Sequence, residues 1–222
     1  MATTSPIKLS AGEVGRYSMA DDGPLALPGT YSVELFESSN GKISLLHEAV
    51  KFEIKPLNNQ TLLAKDKAAV LEFQNKLAEL RRRVSGASRL ISDMNNTLKY
   101  LKAATQNYPS VPLEIMSEIK ELENVMIEIE VKMYGDGSRS NREFETYPGI
   151  SSRIGTAVYQ LWHTTTAPTT TQIQGYEIAK EEFEPVMFRL KETLQRIDEI
   201  ESKMTKYGVP YTPGISDKWK QD

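Results

Sequence analysis

Residues 70–101 read VLEFQNKLAELRRRVSGASRLISDMNNTLKYL, and the apolar positions in this stretch decide the fold. Val70, Phe73, Leu77, Leu80, Val84, Ala87, Ile91, Met94, Leu98 and Leu101 are spaced alternately three and four apart. An unbroken seam of that spacing is one face of an α-helix packed along other helices. It predicts a helix over residues 64–105, about 60 Å long at ~1.5 Å per residue. Ser85-Gly86, near its middle, is where a bend or a close helix contact would sit.

Downstream the same period returns. Pro109 ends the first helix, and Pro112 falls in the first turn of the next, where a missing N–H costs little. Ile115, Ile119, Leu122, Met126, Ile129 and Met133 then repeat the three-four spacing, so a second helix packs antiparallel to part of the first. A polar loop from Gly135 to Asn141 runs on to Pro148-Gly149, followed by a shorter helix carrying Ile150, Ile154, Val158 and Leu161. Thr169 with Gln172 three residues on forms a capping box and starts a helix over about 170–207. Its expected inward positions include Ile173, Tyr176, Phe183, Met187, Leu190, Leu194, Ile197 and Met204. Pro185 removes one backbone hydrogen bond, which predicts a kink near Glu181. Gly208 serves as a C-terminal cap, Pro210 and Pro213 stop the helix, and Trp219 lies in a tail.

Upstream the period changes to two. Residues 1–23 are rich in Ser, Thr, Gly and Asp and read as an irregular lead-in. After the turn signal Leu27-Pro28-Gly29, Tyr31, Val33 and Leu35 alternate with Ser32 and Glu34, the pattern of a half-buried strand. Ser38-Ser39-Asn40-Gly41 supplies a tight turn, and Val50, Phe52 and Ile54 share one face of a second strand that Pro56 closes. Two strands cannot bury a core alone. They need further strands, from residues 1–25 or from sequence missing here, or a helical face. The expected architecture is therefore mainly α: an antiparallel four-helix bundle with long helices over 58–222, preceded by a small β-hairpin region over 1–57.

The chain has 222 residues, 39% hydrophobic and 26% charged, within the range of ordinary globular domains. A net charge of -3 gives no basic footprint for nucleic acid. The absence of cysteine excludes disulfides, thiolate metal sites and cysteine nucleophiles together. No apolar run approaches the ~20 residues that cross a bilayer. The opening MATTSPIKLSAG lacks the basic and apolar regions of a secretion signal. The chain is expected to be cytosolic or a downstream piece of a longer exported one.

No motif marks a reaction. His47 and His163 have no His or carboxylate at metal-ligand spacing. Gly135-Asp136-Gly137-Ser138-Arg139 lacks the lysine of a P-loop and the acidic series of an EF-hand, so it reads as an interhelical loop. No G-x-S-x-G element is present. Glu121, Glu123, Glu128 and Glu130 crowd the second helix, but proximity without a pocket says nothing about glycosidase chemistry. Arg81-Arg82-Arg83 and Glu181-Glu182-Phe183-Glu184 read as solvated helix faces, or as an interhelical ion-pair zone or docking patch. Trp162, His163 and the threonines up to Thr169 gather at one end of the bundle, for packing and capping or for a sugar. The residues expected to contribute an interaction patch are thus Arg81, Arg82, Arg83, Trp162, His163, Glu181 and Glu182; no catalytic residue, cofactor or metal is expected.

Several segments, in order, carry a resemblance. LPGTYSVEL at 27–35, VKFEIKPL at 50–57, APTTTQ at 167–172, AKEEF at 179–183 and YTPG at 211–214 resemble the C-terminal region of large bacterial sortilin-like proteins with BNR-repeat β-propellers, often labelled glycosyl hydrolases. The resemblance implies an exported protein in which a propeller is followed by an immunoglobulin-like sandwich, ending in the hairpin region, and then by this helical tail. The chain would be a fragment of that whole, acting as a non-catalytic accessory module that packs on propeller or sandwich domains or presents a helical face to a partner. Two alternatives stand beside it: a part of a glycoside hydrolase that shapes the parent's cleft, and a self-association module pairing through the long helices.

Overall fold

The computed structural model describes residues 24–57, 64–162 and 164–209. The readings for residues 1–23, His163, Pro210, Pro213 and Trp219 lie outside them. Within them the fold is mainly helical, with a two-stranded antiparallel sheet first: β1 (Gly29–Ser39), β2 (Lys42–Ile54), α1 (Lys67–Asn107), α2 (Leu113–Tyr134), α3 (Gly137–Ser140), α4 (Ile150–Leu161) and α5 (Thr170–Lys206).

Helix α1 begins at Asp66, whose carboxylate accepts from the Ala69 N–H at 3.0 Å. It continues without interruption past Ser85-Gly86. A methyl group added at Gly86 would meet nothing, so this glycine mediates no close helix contact. The seam is buried as expected from Leu77 to Leu101. Near the start of α1, Gln74 takes the place expected for Phe73. Gln74 is buried and donates from Nε2 to the Leu161 carbonyl at 2.9 Å. Phe73 lies on the flank, its ring edge-on to Tyr176 at 5.4 Å.

Helix α5 differs in the same way. Its buried face is Tyr176, Ala179, Phe183, Val186, Leu190, Thr193, Ile197, Ile200 and Met204, whereas Ile173 and Leu194 are exposed. Small and hydroxylated residues hold seam positions that a search for large apolar side chains passes over. Thr193 is tolerated there because its hydroxyl donates back to the Arg189 carbonyl at 2.8 Å. The capping box is formed: the Gln172 N–H donates to the Thr169 hydroxyl, and the Thr169 N–H to Gln172 Oε1 at 2.8 Å. Helix α5 runs through Pro185, which leaves the Glu181 carbonyl without its helical N–H.

The four bundle helices fill three rod positions. Side-chain bonds from Asn95 to Glu130 and Lys102 to Glu123 run α1 antiparallel to α2. Those from Arg189 to Glu128 and Lys203 to Glu118 run α5 antiparallel to α2 as well. Helix α2 therefore lies along the C-terminal halves of α1 and α5. Helix α4 lies along their N-terminal halves, where Leu161 meets Gln74, and Gln160 meets Gln172. The third rod is thus α2 followed by α4, interrupted where the chain leaves as a loop and returns.

That interruption is built on two glycines. Gly135 adopts φ 92° beyond the end of α2, a region that favours glycine. Gly149 opens α4 so close to it that an added Cβ would stand 2.5 Å from the Gly135 nitrogen and 2.8 Å from the Met133 carbonyl oxygen. Between them the expected plain loop contains one helical turn, α3. Asp136 caps it, accepting from the N–H groups of Ser138 and Arg139 and from the Ser138 hydroxyl. An Asp followed by Gly-Ser-Arg is a helix-start signal in its own right.

The hairpin turns at Asn40 and Gly41, with φ 50° and 78°, as a primed two-residue turn requires. Tyr31 pairs with Phe52, Val33 with Val50, Leu35 with His47, Phe36 with Leu45, and Ser38 with Ile43. The register shifts twice, on either side of Leu35. Paired residues share a face and neighbours along a strand alternate. In the root half, Tyr31, Val33, Leu35, Val50 and Phe52 therefore lie on one face, and Thr30, Ser32, Lys51 and Glu53 on the other. In the tip half the sense reverses: Phe36, Ile43 and Leu45 lie on the second face, and Glu37, Ser39, Lys42 and Ser44 on the first. Neither strand packs along a helix, so the half-buried strand expected at Tyr31, Val33 and Leu35 is instead largely open, with Val33 and Leu35 at 57% and 60% exposure.

Candidate functional site

Several charged side chains of the bundle are arranged along its seams. On α2, Glu123 and Glu130 turn toward α1, where Lys102 donates to Glu123 at 2.8 Å and Asn95 to Glu130 at 2.6 Å. Glu118, Glu121 and Glu128 turn toward α5, bonding Lys203, Arg196 and Arg189 at 2.7, 3.0 and 2.6 Å. Donor and acceptor positions recur at seven-residue spacing, 95 and 102 against 130 and 123, and 189 and 196 against 128 and 121. The crowded glutamates are thus ion-pair partners (Glu121, Glu123 and Glu128) or a hydrogen-bond acceptor (Glu130) on the flanks of two helix seams, and not a carboxylate pair facing each other. This arrangement aligns helices and has no acid–base geometry.

The expected patch is dispersed. Arg83 reaches α5, bonding Glu184 at 3.0 Å and covering the buried ring of Phe183 at 5.4 Å from its centroid. This is the interhelical form of the two readings offered for the clusters, through Glu184 and not through Glu181 or Glu182. Arg82 pairs with Glu79 on its own helix, and Arg81 is half-buried. Glu181 is exposed, while Glu182 lines a cavity of about 480 Å³ with Lys132, Asp136, Arg139, Glu145 and Tyr147. The Ser138 hydroxyl, followed by the N–H groups of Arg139 and Ser138, holds the Asp136 carboxyl below its usual range. Lys132 and Arg139 face three carboxylates there, a mixed field that selects neither an anion nor a cation.

Trp162 belongs to the core and not to a surface patch: it is 3% exposed, and among the described residues its indole N–H has no hydrogen-bond partner. His163 lies outside the described residues. His47, on β2, is exposed, with Nδ1 2.8 Å from the Glu48 carbonyl. Among the described residues no group of three His, Cys, Asp or Glu side chains is placed to hold a metal ion, and no helix is long and apolar enough to cross a membrane.

What stands out is the hairpin and its root. Between the strand ends and the end of the bundle lies a mainly apolar cavity of about 380 Å³, lined by Leu27, Pro28, Ile54, Pro56, Val70 and Gln74 among others. Ala64, just ahead of α1, is tied to the segment between α4 and α5 by its N–H donating to the Thr165 carbonyl at 3.3 Å. Beyond this root the hairpin extends for about 40 Å at ~3.3 Å per residue, with apolar side chains exposed on both faces. The sequence reading overlooked the tip. Ile43 and Leu45 alternate with Ser44, a signal as regular as that of Val50 and Phe52.

No protein-family model, no curated protein and no solved structure matches this chain.

Proposed function

We propose that this chain is a non-catalytic interaction module, in which the helical bundle is a stiff support and the hairpin is the contact element. The observation that carries this reading is the contrast between the two parts. The bundle closes its own core, from Leu77 on α1 to Met204 on α5, whereas the hairpin leaves Val33, Leu35, Phe36, Ile43 and Leu45 more than half exposed. Exposed apolar surface on that scale marks interaction sites. The resemblance to the C-terminal region of sortilin-like, BNR-repeat proteins supports the same reading. It points to the propeller or sandwich domains of an exported parent as the contact, with any glycoside hydrolysis belonging to the parent.

The seam of α1 is consumed within the chain, so self-association through the long helices would have to use their outer faces. The test is an assay of the chain with aryl glycoside and peptide substrates. No turnover is expected, and robust turnover abolished by one carboxylate substitution overturns the reading.

A further inference from the structure

Resting on the reading of the hairpin as the contact element, we propose that it is received by a two-layered β structure. The root half packs on one apolar layer and the tip half on the opposite one, with the strand edges hydrogen-bonded to partner strands.

The reversal of faces carries the argument. Val33, Leu35, Val50 and Phe52 face one way, Phe36, Ile43 and Leu45 the other, and the register shifts fall between the two sets. A single surface laid on either face covers one half and meets the charged residues of the other. Lys51 and Glu53 stand opposite the apolar root, and Glu37 and Lys42 opposite the apolar tip. Strands that pass from one layer of a sandwich to the other do so at bulges of this kind.

Area and hydrogen bonding agree. With Leu46, eight large apolar side chains of the hairpin are between 46% and 74% exposed. At about 100 Å² each they offer about 800 Å², what one partner contributes to a stable interface. Among the described residues the sheet contains β1 and β2 alone, so each has an outer edge of backbone groups that no third described strand pairs. Covering both faces takes those edges out of water, where each group left without a partner costs ~1–3 kcal/mol. Partner strands supply donors and acceptors at the right spacing. A second copy does not fit as well. Stacking root on root about a two-fold axis leaves both tips bare, and pairing edge to edge sets each apolar root beside a polar tip.

The experiment places the photo-crosslinking residue p-benzoylphenylalanine singly in the full-length protein, in the cells that produce it, and maps the adducts by mass spectrometry. Positions Leu35 and Val50, and Ile43 and Leu45, are expected to give adducts with two different strand segments of one partner β domain. Positions Ser32, Lys51 and Ser44 are expected to lose them. Adducts at the root alone, equal yields at the polar positions, or adducts with helices, lipid or a second copy of the hairpin overturn the two-layer proposal while leaving the hairpin as a contact element. No adduct at any position overturns the contact reading itself, and the two-layer proposal with it. Helical circular dichroism of each variant shows that the bundle is intact.

Discussion

Gly149 and Gly155 lie six residues apart in and beside the same short helix, yet the structure assigns them opposite roles. A Cβ at Gly149 would enter the backbone of Gly135 and Met133, whereas at Gly155 it would meet nothing. Gly149→Ala is expected to destabilise the protein by about 1–3 kcal/mol through forced displacement of the rod junction. Gly155→Ala is expected to stabilise it by about 0.5–1 kcal/mol, by restricting the unfolded chain and favouring the helix. Urea denaturation of both variants checks this, and equal effects would show that the junction yields. Neither role was legible in the sequence, because a glycine's letter does not say which backbone lies beside it. Gln74 and Thr193 make the same point from the other side. Their letters read as surface residues, and a carbonyl within reach makes each acceptable in the core.

At the scale of elements, the boundaries of the helices were largely readable. Period and capping are local properties: Thr169 and Gln172 cap α5 as their spacing requires, and Pro109 follows directly on the end of α1. The hairpin turn was readable for the same reason, since Asn40 and Gly41 carry the positive φ that the turn demands. The fate of the strands was not. Alternation of apolar and polar residues says that a face is made for burial, not that this chain supplies the cover. Because the hairpin leans on no helix, replacing Val33 and Leu45 together by Thr is expected to leave the unfolding free energy of the bundle, measured in urea, within about 0.5 kcal/mol of wild type. A larger loss would show that the hairpin contributes to the folding of the helices.

For the whole molecule, stability resides in the shared core and the ion pairs supply alignment. Phe183 is fully buried between α5 and α1, under the guanidinium of Arg83. Phe183→Ala is expected to cost about 3–5 kcal/mol through lost burial and a cavity. Arg196→Gln, which removes an exposed pair with Glu121, is expected to cost only ~0.2–1 kcal/mol. Thermal melts followed by helical circular dichroism separate the two, and comparable losses would mean that the charged flanks carry far more of the stability than exposed pairs usually do.

The sequence by itself determined that the chain forms long helices, where they begin and end, and that a hairpin precedes them. Each of these follows from residues within a few turns of one another. The tertiary structure alone decided that α2 and α4 share one rod, that the crowded glutamates divide between two seams, that Trp162 is core, and that the hairpin's apolar faces reverse at Leu35. These depend on which distant residues meet. Periodicity fixes the face a helix or strand must cover and leaves open what covers it.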